Sequence, residues 1–403
     1  MTSRQRVMAA FQHREPDRTP FFEKLIKSPI MDLVLGRLSL AENFVARMEA
    51  RERGDWEGLV EGEAQDIAEA VERLGMDLVR LGTNLAPGGE RPRRVGEFTW
   101  ETAGGLTRFI PGSPWVEQIP RSPRPSPEQE EADLVRWLEG PWQPPTWQEE
   151  EFRVFRRVQE LLARRGRDPV IFASVYVMPV CTLPRPALAW FHTRPALLHE
   201  YYRRMSGHAL ALIPRLVELG ADIIGLGGDL ASDHGPLISP AHYREFLLPH
   251  LREQAALVHR LGKVCTTASD GDLWPIAQEV LVAPGVDGFE EIDHAAGMDL
   301  RRLKQCFGDR LTFIGNVDER WTLCRGTPEQ TRRHVQEVIE AGRPGGGHIL
   351  MCSNCIHEDV RPANFQAYLE AYREYFGLSG RPPVFAWDPA RAQMPGYVIP
   401  AQA

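Results

Sequence analysis

The sequence contains no run of 18 or more apolar residues, and it has only six cysteines among 403 residues. A membrane-spanning helix needs roughly 20 mostly apolar residues, so the sequence predicts no membrane span. The cysteines are spaced irregularly, with Cys352 and Cys355 as the only close pair, which does not indicate a disulfide framework. The N-terminus from Met1 to Arg18 is polar and lacks the apolar core of a secretory signal. We therefore expect a cytoplasmic protein whose thiols are reduced.

Long blocks of lysine or arginine are absent as well, and the formal net charge is -8. This balance argues against nucleic acid or an anionic membrane as a partner. Neither a G-x-G-x-x-G nor a G-x-x-x-x-G-K-[ST] motif occurs, so the signatures of dinucleotide and P-loop binding are missing. The 43% of hydrophobic residues are sufficient for a large core. We expect a small-molecule substrate, and the oligomeric state stays open, with a homodimer as one option.

Units of strand plus helix repeat along the chain, which predicts a parallel α/β sheet. Successive units favour a single distorted (β/α)8 TIM barrel over an open sheet. The barrel domain is placed at residues 1–380, and residues 381–403 are predicted to form an irregular tail. The predicted strands are 77–83, 169–175, 222–228, 263–268, 286–292, 311–317 and 347–353, with an eighth near 19–25.

Residues 87–146 form an insertion that is rich in proline, glycine, tryptophan and arginine. Its short alternating pieces predict a hairpin and a loop. We expect the insertion to fold over the barrel mouth and to exclude water from the site. Trp100, Phe109 or Trp115 would then contact the ligand.

An apolar stretch ending in paired glycines is followed directly by Asp229, Ser232 and His234. Ser239 and Pro240 then predict the start of a helix. Polar groups at the C-terminal end of a barrel strand are where such enzymes keep their chemistry. Asp229 is a candidate general base, or else a loop cap, and His234 is a candidate proton carrier, or else a turn residue.

Further candidates follow the later strands. Glu290 and Glu291 end one strand, and the alternation of side chains should send one into the barrel and the other away. Asp270 lies before a glycine, where an Asp can also serve a turn. The substrate-binding candidates are Asn84, Tyr176, Ser232, Asn316, Asp318 and Asn354. For each of them, structural bonding or packing is the competing interpretation. One cavity at the C-terminal face should gather Asn84, Asp229, Asp270, Glu290 or Glu291, Asn316 and Asn354.

Several stretches, taken in order, resemble the uroporphyrinogen decarboxylase superfamily over roughly residues 1–378. The resemblance implies a (β/α)8 barrel and a family of tetrapyrrole decarboxylases and zinc- or corrinoid-linked methyltransferases. The stretches are Thr2–Val7 with Glu15–Arg18, Gly227–Leu230 through Pro240, Ser269–Leu273, Gly285–Gly288, Ile314–Asp318 and Gly345–Leu350.

The chain departs from the decarboxylase pattern at two positions. The segment Pro20–Lys24 stands where that enzyme carries arginines for substrate carboxylates. At the strand end that supplies its catalytic Asp, this chain has Asn84, and an amide cannot carry the negative charge. The resemblance therefore favours the methyltransferase-like branch.

That branch binds zinc through a His and a Cys in a segment that here reads Ala268–Gly271, so both ligands are missing. A substitute zinc site could use Cys355, His357, Asp270 and Asp229 if these groups converge. Zinc seldom persists with fewer than three protein ligands. We predict that the protein binds no tight zinc and that Asp229, His234 and Asp270 act through protons and hydrogen bonds.

Three functions remain open from the sequence. The favoured one is methyl transfer involving a small methylated molecule or a thiol, with a corrinoid carried by a separate protein, since no D-x-H-x-x-G segment is present. The alternative is a lyase that decarboxylates a porphyrinogen or another aromatic or pyrrole acid, with Asp229 or His234 protonating the carbanion. The third is a noncatalytic barrel that binds a small molecule.

Overall fold

The computed structural model describes residues 1–83, 89–110, 116–122, 125–178 and 180–379. The strands are β1 Leu78–Arg80, β2 Arg93–Gly96, β3 Thr99–Thr102, β4 Gly105–Phe109, β5 Val116–Pro120, β6 Val170–Ser174, β7 Ile223–Gly227, β8 Ala231–Ser232, β9 Gly235–Pro236, β10 Val264–Ala268, β11 Gly288–Glu290, β12 Thr312–Ile314 and β13 His348–Ile349.

The helices are α1 Ser3–Phe11, α2 Ile30–Leu35, α3 Phe44–Arg53, α4 Trp56–Leu74, α5 Pro127–Glu139, α6 Arg153–Arg164, α7 Arg185–Thr193, α8 Pro195–Glu218, α9 Pro240–His242, α10 Leu248–Arg260, α11 Leu300–Phe307, α12 Pro328–Gly342 and α13 Pro362–Tyr375. Short 3-10 turns cover Glu149–Phe152 and Trp274–Ile276, and π-helical turns cover Tyr243–Leu247, Gln278–Val282 and Glu319–Leu323.

The main sheet is parallel and has the order β1-β6-β7-β10-β11-β12-β13. Each of its seven strands falls within a range predicted from the sequence. All five residues of β7 are buried, as expected for a parallel strand covered on both faces. The strands lie in the sheet in the same order as in the chain, which is the winding of a (β/α)8 barrel.

The predicted eighth strand is present as a short closing segment around Phe21. Phe21 forms a parallel bridge with Leu350, beside β13. On its other side, the carbonyl of Phe21 accepts a hydrogen bond of 2.8 Å from the backbone N–H of Asp77, next to β1. The segment therefore joins the two edges of the sheet and closes the barrel.

Helix α1 covers the N-terminal end of this barrel. Its Val7 and Ala10 are fully buried in the cluster that fills the barrel interior. The carbonyl of Ala10 accepts hydrogen bonds from Thr312 Oγ1 at 3.2 Å and from the N–H of Gly347 at 3.1 Å. Since both partners lie at the starts of strands, the opposite, C-terminal end is the one left open for a site.

Asp77 connects α1, the closing segment and β1 through one buried carboxylate. It is fully buried and accepts hydrogen bonds from Ser3, Arg6, Arg18 and the backbone N–H of Phe21. The Arg6 and Arg18 contacts measure 2.8 and 2.6 Å. A buried carboxylate with two guanidinium partners is compensated for its loss of hydration.

The insertion differs from the predicted hairpin and loop. Its strands β2 to β5 form a four-stranded antiparallel sheet, and α5 follows, because Ser126 caps a helix that starts at Pro127. Trp100, one of the three aromatic residues predicted as alternatives for contact with the ligand, has its ring fully buried against α3. There it packs edge-on to Phe44, 6.0 Å between ring centroids.

Phe109 is likewise used in packing, stacked on Phe44 at 6.1 Å. The apolar face of α3 thus takes up two aromatic rings of the insertion. Trp115 lies outside the described residues, as does the predicted tail at 381–403. Among the described helices, none is long and apolar enough to span a bilayer.

Asp77→Asn should lower the free energy of unfolding by about 3–5 kcal/mol, because it leaves two buried arginines with less compensating charge. Urea unfolding of the full chain measures the change. Asp133→Asn is the matched control, since Asp133 pairs with Arg136 at an exposed position and should change stability by about 1 kcal/mol or less. Equal shifts in the two variants would contradict the role given to Asp77.

Candidate functional site

The closing segment carries Lys24 into the mouth of the barrel. Side chains alternate along this segment, so Phe21 and Glu23 face the outer helix α13, where the hydroxyl of Tyr368 donates to Glu23 Oε1 at 2.7 Å. Phe22 and Lys24 therefore face inward. Phe22 joins the interior cluster, and Lys24, two residues further on, is only 7% exposed at the C-terminal end.

Lys24 is held by two glutamates and a tyrosine. Its ammonium donates to Glu290 at 3.2 Å, to Glu291, and to the hydroxyl of Tyr176 at 3.3 Å. It also lies 5.0 Å from the centre of the Tyr176 ring, a cation–π distance. Burial alone would lower the pKa of Lys24, but Glu290, Tyr176 and Glu291 outweigh it and hold this pKa above its usual range. The ammonium is therefore charged near neutral pH.

Both glutamates point to the same ammonium, so the prediction that alternation sends one of them away is wrong. Glu290, fully buried, faces inward as strand geometry requires and also accepts from Thr266 Oγ1 at 2.6 Å. Glu291 has a left-handed backbone with φ 59°, which ends the strand and returns its side chain toward the barrel axis. Such a conformation costs a non-glycine residue about 1–2 kcal/mol, which the contact with Lys24 helps to offset.

Gly225, in the middle of β7, leaves the space in which these groups meet. A Cβ atom at this position would lie 2.9 Å from the Tyr176 hydroxyl and 3.1 Å from Glu290 Oε1. Ordinary contacts of a Cβ atom are longer, so even alanine would displace one of them. The cluster of Lys24, Tyr176 and Glu290 therefore depends on the absence of a side chain here.

Asp270 and Asn354 meet beside this cluster, as predicted for residues that follow two barrel strands. The Asn354 amide donates to Asp270 Oδ2 at 2.7 Å. Burial raises the pKa of Asp270 to about 8, and Glu291 and Asp229 raise it further against the opposing effect of Asn354. Near neutral pH, Asp270 is therefore a carboxylic acid with a proton to donate.

Two cavities open at this end of the barrel. A small one of about 110 Å³ has Asp270, Asn354 and Ser232 in its lining, together with Asp293, Glu319 and Arg320. A larger one of about 300 Å³ lies beside β1 and includes Lys24 and Arg80 in its lining. The larger cavity is mixed in character, because its other lining residues are mostly aliphatic; they include Leu25, Ile26, Met31, Ile67 and Val79.

The remaining candidates after β7 have different environments. Asp229 is half-buried, and its carboxylate accepts from Cys181 Sγ at 3.6 Å. Ser232 is exposed, with its hydroxyl donating to the Gly235 carbonyl at 3.3 Å. His234 is exposed at the tip of the turn between β8 and β9 and is absent from the lining of both described cavities.

The predicted substrate contacts Asn316 and Asp318 are used in structural bonding. Asn316 is 1% exposed and donates to the carbonyl of Met298 at 3.0 Å. Asp318 is 2% exposed and caps the turn Glu319–Leu323 by accepting from the N–H groups of Trp321 and Thr322. Both residues therefore take part in structural bonding, while Asp318 Oδ1 is buried without a hydrogen-bond partner among the described residues, and their contact with a substrate stays a prediction. Asn84 lies outside the described residues.

The four predicted zinc ligands do not fit a zinc site. Within the described ranges, the only group of three or more His, Cys, Asp or Glu ligand atoms within 4.8 Å of one another lies elsewhere and contains none of them. Contacts with Cys324 and Glu319 raise the pKa of His357 to about 10. Burial and then Glu319 raise the pKa of Cys355 to about 12. Because these four side chains do not converge among the described residues, Cys355, His357, Asp270 and Asp229 are not arranged as a zinc site.

Lys24 and Glu23 were missed in the sequence. The available signal was the period of two along a strand, which puts Lys24 on the same face as Phe22 and Glu23 on the same face as Phe21. Glu23 is also buried; one oxygen accepts from the N–H of Cys352 at 3.1 Å, and Oε2 has no partner among the described residues. Burial raises the pKa of Glu23 to about 7.

Comparisons with known proteins agree on one family. Residues 178–375 match the family model described as Uroporphyrinogen decarboxylase (URO-D). The uroporphyrinogen decarboxylase of Chlorobaculum tepidum is 25% identical over 187 residues, 45% of this chain and 50% of the relative. That of Chlorobium luteolum is 27% identical over 187 residues, with the same shares. The chain thus spans about half the length of the curated relatives it matches.

A solved structure extends the likeness over nearly the whole chain. A methyltransferase from Methanosarcina mazei superposes with a TM-score of 0.63, covering 93% of this chain and 99% of that one. The sequences are 19% identical, so the likeness shows a shared fold.

The pKa of Asp270 generates a prediction about stability. The pKa of Asp270 is about 8 in the folded protein, above its ordinary value of 3.8, so the folded state holds this proton more tightly than the unfolded state. The resulting contribution to the free energy of unfolding is fully present below about pH 4 and is lost as the pH rises to 8. Asp270→Asn, which cannot ionise, should therefore be more stable than the parent at pH 9, by on the order of a few kcal/mol. Urea unfolding at pH 5 and pH 9 measures the change, and a parent-to-variant difference that is the same at both pH values would contradict it.

Lys24→Met should destabilise the protein by about 3–5 kcal/mol, because it leaves Glu290 and Glu291 without their buried cation. The double variant Lys24→Met/Glu291→Gln should recover part of this loss, since only one carboxylate then remains uncompensated. Thermal and urea unfolding compare the two variants. A double variant less stable than the single one would show that Lys24 is not paired with Glu291.

Proposed function

Because the chain belongs to the uroporphyrinogen decarboxylase superfamily, whose members are enzymes, we propose that it is a methyltransferase. Its substrate would be a small methylated molecule or a thiol bound at the barrel mouth. The observation that carries the proposal is Asp270, a carboxyl whose pKa of about 8 keeps it protonated near neutral pH. Methyl loss from oxygen or nitrogen leaves that atom needing a proton. A protonated carboxyl lining a cavity supplies one.

In this mechanism Asp270 is the general acid. As the methyl group leaves for its acceptor, the bond from carbon to the heteroatom breaks and the electron pair stays on the heteroatom. Asp270 then transfers its proton to that atom and becomes a carboxylate. Asn354, which donates to Asp270 at 2.7 Å, holds the carboxyl in place and stabilises the anion that forms.

The charge of the mouth supports a neutral or cationic substrate. Lys24 is already engaged by Glu290 and Glu291, and Asp229 adds a further carboxyl group nearby, whereas Asp270 keeps its proton near neutral pH. The carboxylates of a porphyrinogen would be repelled by Asp229 and by the two glutamates that share Lys24, and among the described residues Arg80 is the one further basic residue that lines the larger cavity. The observation therefore favours methyl transfer over the alternative of decarboxylation, to which the names of the curated relatives point.

The methyl acceptor is proposed to be a corrinoid on a separate carrier protein. The chain has no D-x-H-x-x-G segment with which to hold a corrinoid itself. The acceptor would approach from the open C-terminal end, where the two cavities lie.

The proposal is tested by incubating the full chain with a panel of small O- and N-methylated compounds and free reduced cobalamin, and by following methylcobalamin formation. Asp270→Asn should lower the rate by about 10²–10⁴-fold, the usual contribution of a positioned general acid. Asp309→Asn is the matched control, because Asp309 is exposed, 71% by side-chain area, and pairs only with neighbouring Arg310 among the described residues. It should leave the rate unchanged.

Two results would overturn the proposal. Carbon dioxide release from a pyrrole or other aromatic carboxylic acid, without methyl transfer from any compound of the panel, would establish the lyase. Tight binding of a panel compound without turnover would establish a binding protein. Equal rates for the parent and Asp270→Asn would remove Asp270 from the mechanism.

A further inference from the structure

His259, Cys265 and Asp287 meet at the N-terminal face of the barrel, at the opposite end from Asp270. His259 is near the end of α10, Cys265 is the second residue of β10, and Asp287 directly precedes β11. Within the described part of the chain, this is the one group of three such ligands whose atoms all lie within 4.8 Å of one another. We propose that these three residues form a binding site for a divalent transition metal ion of the zinc type.

The distances suit a tetrahedral ion. Bond lengths of about 2.3 Å to sulfur and 2.0–2.2 Å to nitrogen or oxygen place tetrahedral ligands roughly 3.3–3.6 Å apart. In the protein, His259 Nε2 lies 2.9 Å from Asp287 Oδ2 and 3.8 Å from Cys265 Sγ. Shifts of a few tenths of an ångström in the exposed His259 ring would bring these two contacts to such separations, and the third pair, Cys265 Sγ and the Asp287 carboxylate, lies within 4.8 Å.

The surroundings meet the other requirements of a metal site. The backbone N–H of Cys265 donates to Asp287 Oδ2 at 2.8 Å, which orients the carboxylate as a supporting bond does in known sites. Cys265 is fully buried, whereas the side chains of His259 and Asp287 are 42% and 32% exposed. Solvent therefore has access to a fourth position, and a thiolate with a carboxylate balances the charge of a divalent ion.

The arrangement does not fit a nucleophilic Cys-His-Asp triad. In such a triad the thiol and the carboxylate contact different nitrogens of the imidazole. Here both Cys265 Sγ and Asp287 Oδ2 approach Nε2. One nitrogen facing a sulfur and an oxygen is the geometry of ligands around a shared centre.

The site is independent of the proposed methyl transfer. Cys265 and Asp270 are separated by five residues along and just beyond β10, or about 17 Å at the rise of an extended strand. A metal here would tie α10 to the starts of two adjacent strands and stabilise the barrel. It also departs from the expectation that the protein binds no tight zinc, because that expectation considered only ligands at the mouth.

The test is titration of the full-length protein, freed of metal by a chelator, with cobalt(II) as a spectroscopic probe for zinc. One equivalent should produce a thiolate-to-cobalt charge-transfer band together with the intense visible bands of a tetrahedral ion, and zinc should displace it. Cys265→Ser should abolish the charge-transfer band. His259→Asn, at an exposed position where it disturbs folding least, should weaken binding by more than about 100-fold, beyond the usual cost of losing a supporting partner.

Cys355→Ser and the exposed Cys306→Ser are the matched controls and should leave the spectrum unchanged. If Cys265→Ser does not fold, His259→Asn decides the question alone, and zinc should then raise the melting temperature of the parent but not of this variant. No charge-transfer band in the parent, or a band lost in Cys355→Ser and kept in Cys265→Ser, would overturn the site. An unchanged affinity in His259→Asn would do the same.

Discussion

The buried carboxylate of Asp77 is the contact through which the barrel closes. It accepts from the N–H of Phe21, in the closing segment, from Arg6 within α1 and from Arg18 after α1. Without it, the segment would be held to the sheet edge chiefly by its backbone bonds to Asp77 and Leu350. Because Phe21 is fixed, Lys24 three residues later has a defined position inside the mouth. The charge pattern of the site is thus set by an ion pair at the other end of the molecule.

At the barrel mouth, a single buried cation faces more than one carboxyl group. Lys24 compensates Glu290 and Glu291, and no further buried cation of the described residues contacts Asp270. That carboxyl therefore avoids the cost of a buried charge by keeping its proton, which is the usual response of an uncompensated acid in a low-dielectric site. The neutral state of Asp270 and the charged state of Lys24 have the same origin.

The barrel could be predicted from the sequence, because buried parallel strands appear as apolar runs. Helix caps are local signals as well: the hydroxyl of Ser239 accepts a hydrogen bond from the backbone N–H of His242. The sequence also placed Asp270 and Asn354 correctly as neighbours, since both follow barrel strands. It could not identify Lys24, whose partners Glu290 and Glu291 are 266 and 267 residues away. Local rules likewise could not foresee the left-handed backbone of Glu291, which depends on a distant cation. The insertion was misjudged because only the folded chain brings α3 against its aromatic rings.

Gly225 has a consequence for how this chain can diverge from its relatives. Its backbone is that of an ordinary strand, so the requirement for glycine comes from the space taken by Phe172 of β6, Tyr176 and Glu290, whose nearest atoms would lie 2.8, 2.9 and 3.1 Å from a Cβ atom. A mutation to alanine is therefore accessible only after these neighbours have become smaller or have shifted, and a smaller residue at Glu290 would remove a partner of Lys24. The order in which substitutions can accumulate is constrained, because the packing around β7 must change before this position can vary.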